Sequence, residues 1–263
     1  MKRLKKDRPR GVILYRGKSL IDGLPVVVVA TFESKNAKTG DMVQVWILPD
    51  HTQGIDPVQA LNRPEINRRI CGDCPLQGTI DPNTGQNVDR ACYVNVGQAP
   101  LAVWRGVQAG IYPTYQAREH RQWFVGRKIR NGAYGDPAAF PVKITRWLAK
   151  VGSGHTGYTH QIWTMTHHPR RQAALAEFLM ISCHTRKQAE QAAENGWRFF
   201  QAITPGEDPA ADALECPHYT HGIECEQCLL CCGTSKGARS IFARAHGKGA
   251  GHLVQIQLQE AAR

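Results

Sequence analysis

From about residue 127 the chain falls into a rhythm of strand-length and helix-length segments, and this rhythm narrows the architectures open to it. Lys128 to Tyr134 reads as a strand that ends at Gly135-Asp136-Pro137. Pro141 to Val151 reads as a helix with proline in its first turn. Thr156 to Trp163 follows as a strand, Pro169 to Phe178 as a helix and Leu179 to Cys183 as a strand. Thr185 to Asn195 is then a helix with Gly196 in the position expected after a helix end, and Trp197 to Ile203 is a strand. Such alternation predicts βαβ units and a parallel sheet. The expected fold class is therefore α/β, a parallel (β/α) partial or complete barrel.

Before this rhythm, Val26 to Phe32 and Met42 to Leu48 are β-branched runs joined by the polar link ESKNAKTGD, which predicts an N-terminal hairpin. Asp56 to Ile70 reads as a short helix, Gly72 to Asp89 as a loop, CYVNVG from Cys92 as a short strand end, and 99–110 as a helix. After the rhythm, Ser240 to Ala245 and Leu253 to Leu258 read as short strands. No repeat or low-complexity linker divides the chain. We expect a basic arm over 1–10 and a single α/β domain over 11–263, including a cysteine-rich segment over 214–234.

Nine cysteines in a chain with no leader-like apolar segment point to metal ligation more than to a disulfide framework. Cys216, Cys225, Cys228 and Cys231 form the densest group, with Cys232 adjacent. Thiolates are strong ligands for zinc and for iron. The C-x2-C-x2-C run is common in iron–sulfur proteins, which favours a [4Fe–4S] cluster over zinc; His218 or His221 are alternative ligands. Cys71, Cys74 and Cys92 form a second group. Three thiolates leave one coordination position open, as a catalytic centre needs, unless a histidine or a C-terminal cysteine completes the set. Cys183, inside a strand, reads as a small buried apolar residue.

Ligands of parallel α/β folds bind at the C-terminal ends of the strands. Polar residues recur there: Asp136, His160, His184 and His246 are the candidates for acid–base or substrate contacts. No Ser-His-Asp signature, phosphate loop or G-x-G-x-x-G fingerprint occurs. The formal net charge of +11 and the arm residues Lys2, Arg3, Lys5, Lys6, Arg8 and Arg10 suggest nucleic acid as a partner. No apolar run is long enough to span a membrane, so no membrane partner and a cytoplasmic location are expected.

The strings ICGDCP, RACYVNVG, GAYGDPAA, TGYTHQIW and the C-terminal cysteines followed by SIFARAHG resemble a family of uncharacterised phage- and plasmid-borne proteins, from about Val12 to Val254. A more distant similarity is to radical S-adenosylmethionine enzymes. That likeness implies a barrel with a three-cysteine [4Fe–4S] cluster at its mouth. It also implies a strand end, here Gly135-Asp136-Pro137, that contacts the methionine part of S-adenosylmethionine, and an additional C-terminal cluster. The spacing departs from the superfamily's C-x3-C-x2-C, since this chain has C-x2-C-x17-C. The resulting expectation is a metal-binding protein of a mobile genetic element, a radical-SAM-like enzyme acting on nucleic acid or a nucleotide. The alternative is a zinc-stabilised nucleic-acid-binding or replication-associated accessory protein without catalysis.

Overall fold

The structure, a computed structural model, describes residues 8–34, 36–204, 206–210, 212–246 and 249–261. Most of the arm, residues 1–7, lies outside this set. Among the described residues eleven strands form: β1 (Gly11–Lys18), β2 (Pro25–Thr31), β3 (Val43–Pro49), β4 (Thr79–Ile80), β5 (Asn87–Val88), β6 (Lys128–Tyr134), β7 (Gly154–Thr159), β8 (Met180–Cys183), β9 (Phe199–Ile203), β10 (Leu214–Glu215) and β11 (Ile241–Arg244). Nine of them make one sheet in the order β1-β2-β3-β6-β7-β8-β9-β11-β10. The first three are antiparallel neighbours, and from β3 onward every pairing is parallel.

The hairpin of β2 and β3 stands as expected. Every residue of β2 after Pro25, and all of β3, is buried, as continuous β-branched runs require when a sheet is covered on both faces. The parallel strands join in chain order from β6 to β9, each added to the same side of the sheet. The helices Val142–Val151, Pro169–Ala176 and Arg186–Glu194 connect them. Thr185 and Gln188 cap the last of these reciprocally, and Gly196 follows it at φ +68°.

Side chains alternate along the strands and build two separate apolar layers. Ile181, Cys183 and Phe199 pack against Leu175, Ala189 and Ala192 of the helices. Met180, Tyr158 and Phe200 point the other way and pack against Cys216, Cys231 and Leu230. The cysteine-rich segment thus covers the face that the helices leave bare. Cys183 lies in the helix-side layer and is buried, as a small apolar residue in a strand should be.

Several expectations are corrected. Among the described residues β1 and β10 have no strand on their outer sides, so the sheet does not close into a complete barrel. Gly11–Lys18 is a strand that the pattern did not announce. The helix expected over 56–70 is two, Pro57–Ala60 and Pro64–Cys71, because Pro64 restarts the backbone. CYVNVG forms no strand, and its Cys92 N–H instead donates to the Leu76 carbonyl at 2.8 Å. The strand over 156–163 ends at Thr159, and a short helical turn, Gln161–Thr164, follows. Leu253 to Leu258 is helical, within Ala250–Ala261. Leu253 and Ile256 are one helical turn apart and both buried, so helical spacing prevails over the alternation that suggested a strand.

Candidate metal centres

Cys71 ends the helix Pro64–Cys71, and Gly72 turns the chain at φ +55°. The Cys74 N–H donates back to the Cys71 carbonyl at 3.2 Å, which draws the two cysteines together. Gln77 fastens the turn: its Nε2 donates to the Gly72 carbonyl at 2.9 Å and its Oε1 accepts from Asn67 Nδ2 at 2.7 Å. Gln161, just past β7, donates from Nε2 to the Cys71 carbonyl at 2.9 Å. Its amide occupies the space that a side chain at Gly72 would need, 2.0 Å from where a Cβ would stand. The backbone bond from Cys92 to Leu76 brings the third cysteine to the same loop.

Electrostatics records the closeness of these three thiols. Burial pushes the Cys71 thiol far above its usual range, and the charges of Cys92 and Asp136 push it the same way while Arg90 opposes them. Cys74 is raised by burial first, then by Cys71 and Cys92. The hydroxyl of buried Tyr134, at the end of β6, is raised by burial and by the same two cysteines, Cys71 and Cys92.

Asp136 follows β6 and is buried. Its Oδ1 accepts from Thr159 Oγ1 at 2.8 Å and from the Ala138 N–H at 2.9 Å, and its Oδ2 accepts from the His160 N–H at 2.7 Å. Burial holds this carboxyl above the usual range, opposed by those bonds. With both oxygens engaged, Asp136 clasps the ends of β6 and β7. Gly135, at φ +77°, passes so close to Ile47 that a Cβ would lie 2.7 Å from that side chain, and Pro137 opens the short turn Pro137–Ala139.

His160 and His184 come together at the ends of β7 and β8. Their rings stack 4.8 Å apart at 14°, and His160 Nδ1 and His184 Nε2 are 3.1 Å apart, so one donates and the other accepts. Burial lowers both pKa values, that of His184 to about 4. The His184 Nδ1 atom is buried and finds no hydrogen-bond partner among the described residues. Above this pair lies the C-terminal helix, whose Gln257 Nε2 donates to the His184 carbonyl at 2.7 Å. His246 is elsewhere. It meets the Tyr219 hydroxyl at 3.0 Å, beside the C-terminal cysteines, so the structure joins three of the four acid–base candidates and separates the fourth.

The C-terminal group is built against the sheet. The Cys216 N–H donates to the Phe242 carbonyl on β11 at 2.8 Å, and the Cys231 carbonyl accepts from the Gly157 N–H on β7 at 2.9 Å. Cys216, Cys225, Cys228 and Cys231 line one narrow pocket together with Lys38, Thr156, Tyr158 and His218. Burial pushes the Cys231 thiol up to about 12, while a hydrogen bond with Tyr158 and the charge of Arg130 pull the other way. Thr156 Oγ1 and His218 Nδ1 are buried there without hydrogen-bond partners among the described residues. Buried Arg198 anchors the segment from below: its Nη1 donates to the Gly233 carbonyl at 2.7 Å and its Nη2 to the Leu230 carbonyl at 2.6 Å. The pattern does not single out Arg198, Arg130 or Lys38. The signal available was a charged residue inside a strand, as with Arg130 in KIRNGAY.

Among the described residues, no three His, Cys, Asp or Glu side chains converge tightly enough to grip a single ion. A lone zinc with bonds of about 2.3 Å needs sulfurs about 3.8 Å apart in its tetrahedron. A multi-iron cluster spreads its thiolates further apart than a single ion does. The donor chemistry, the unpartnered polar atoms and the nearby cations fit such a group at the C-terminal pocket, and three neighbouring thiols fit one at Cys71. No protein family matches the chain, and no curated protein or solved structure is similar to it. Among the described residues, no helix is long and apolar enough to cross a membrane.

Proposed function

We propose that this is an iron–sulfur enzyme whose working centre is a [4Fe–4S] cluster held by Cys71, Cys74 and Cys92, with an accessory centre at Cys216, Cys225, Cys228 and Cys231. The observation that carries the reading is the gathering of three mutually interacting thiols beside Tyr134, Asp136 and His160, where parallel strands end. The strand order, added to one side from β6 to β9, agrees with a partial barrel.

A cluster held by Cys71, Cys74 and Cys92 would leave one position for an outside ligand. In this reading that ligand is S-adenosylmethionine, as the likeness to radical-SAM enzymes suggests. The chain's own residues then divide the work. Gln77, Gln161 and Asn67 hold the cysteine turn. Asp136 braces the strand ends; its engaged oxygens suit that role better than gripping the cofactor. The neutral His160–His184 pair holds a proton between Nδ1 and Nε2, where a substrate at the strand ends would meet it. The net charge of +11 suits a nucleic-acid or nucleotide substrate.

Anaerobic purification followed by iron, sulfide and zinc assays tests the proposal. Iron with matching sulfide is expected, and reduction with dithionite should let the protein cleave S-adenosylmethionine to 5′-deoxyadenosine and methionine. Replacing Cys71, Cys74 and Cys92 with alanine should abolish the cleavage. Stoichiometric zinc without sulfide would overturn the reading in favour of a zinc-stabilised accessory protein. For the substrate class, a salt-dependent shift of DNA or RNA should weaken on deleting residues 1–10.

A further inference from the structure

Arg130 lies in the middle of β6 and is 6% exposed. Its Nη2 donates to the Tyr93 hydroxyl at 3.0 Å, and its guanidinium stands 4.6 Å from the centre of the Tyr158 ring. Among the described residues no carboxylate pairs with it. A buried charge without a counter-charge costs several kcal/mol, so a fold that keeps one calls for an anion nearby. The acidic groups that act on Arg130 are Tyr93, Tyr158 and Cys225, and its charge acts in turn on Cys225 and Cys231.

Like the Tyr158 ring beside Arg130, Lys38, in the link between β2 and β3, lines the pocket of the four cysteines. It is half-buried, its Nζ donates to the Tyr219 hydroxyl at 2.6 Å, and it lies 4.3 Å from the centre of that ring. Among the described residues it too has no carboxylate partner. Its own segment is tied to the cysteines, since the Lys38 carbonyl accepts from the Cys225 N–H at 2.8 Å.

We infer that Arg130 and Lys38 are the built-in counter-charge of a closed centre held by all four thiolates of Cys216, Cys225, Cys228 and Cys231. The inference rests on the reading of those cysteines as a metal centre and deepens it. Four thiolates around a dipositive ion or cluster core leave a net charge of about −2, which two cations neutralise. A histidine in place of one thiolate would leave one cation without a counter-charge. The arrangement therefore selects Cys216 over His218 and His221 and leaves no coordination position for substrate. Arg130 also favours the more negative, reduced state of an iron cluster and holds its potential up.

The test uses the full chain with Cys71, Cys74 and Cys92 replaced by alanine, so that only this centre reports. Metal release to a chelator and the reduction midpoint are compared for Arg130, Arg130→Met and Arg130→Lys. Arg130→Met should release metal about tenfold faster. The midpoint should fall by the equivalent of a tenfold change in the reduced-to-oxidised ratio, about 59 mV. Arg130→Lys, which keeps the charge without the planar fork, should recover most of both effects and covers the case in which the methionine variant does not fold. Metal retention and midpoint within twofold of the parent in Arg130→Met, or no recovery by lysine, would overturn the charge assignment alone. A parent protein with no metal on these cysteines would overturn the metal reading beneath it.

Discussion

The two cysteine groups are made by different means. Cys71, Cys74 and Cys92 are all partly exposed and hang from a helix end and a loop held mostly by amide side chains. Beside Cys71 the cation Arg90 is set against the carboxylate Asp136, and within the turn Asp73 pairs with Arg68 at 2.9 Å. Cys216 and Cys231 are buried and Cys225 and Cys228 partly exposed, and strands β11 and β7 take up backbone groups of the buried two. Lys38 lines the pocket and Arg130 stands behind its Tyr158 ring, and among the described residues neither cation has a carboxylate partner. On the proposed reading, similar ligand chemistry would serve opposite ends in the two groups. A site with one free position needs access and tolerates a loosely held frame. A closed site can be part of the core, and its metal can contribute to folding.

The largest expected effect separates the two groups by stability. Cys231→Ser should lower unfolding free energy by on the order of 4 kcal/mol, through loss of the centre and of a buried side chain in the cysteine-side layer. Cys92→Ser should cost less than about 1 kcal/mol while abolishing activity. Denaturant titration of both variants checks this, and equal costs would erase the distinction.

Next in size is a pH effect confined to the strand-end site. The folded pKa of His184 lies near 4, below its ordinary value, so the unfolded chain takes up the proton first. Its contribution is present above about pH 6.5 and is lost as the pH falls toward 4, about 3 kcal/mol across that window. Thermal unfolding at stepped pH should show this loss, and His184→Gln should flatten it. An unchanged slope in that variant would place the titration elsewhere.

A smaller change sharpens the comparison from the other side. Gly72→Ala puts a side chain at a positive φ and into the Gln161 amide. It should cost about 1–2 kcal/mol and reduce metal loading at Cys71, Cys74 and Cys92 about tenfold. The C-terminal centre should load as before, as measured by metal stoichiometry on the separated variants.

How far these features could be read in advance follows from their physics. The β6 to β9 rhythm was legible because its strands and helices carry their own periods, and the last helix also its own end signals in Thr185, Gln188 and Gly196. The open sheet was not, because closure depends on whether distant edges such as β1 and β10 meet. Leu253 to Leu258 misled because its alternating apolar residues suit a strand, whereas the burial that decides the matter is tertiary. Cysteine spacing announced both groups. It could not announce Arg130 or Gln161, whose importance lies in what the fold brings beside them. His246 shows the converse, a strand-end residue with suitable chemistry that the fold directs to Tyr219 instead.

The central claim is that two iron–sulfur centres exist and that they are separable. The direct measurement is iron and acid-labile sulfide per chain, with Mössbauer spectra, on anaerobically prepared protein before and after replacing Cys71, Cys74 and Cys92 with alanine. The account predicts about eight irons and eight sulfides in the parent, and about four of each in the variant. Zinc in place of iron, or an iron content that the three substitutions leave unchanged, would contradict it.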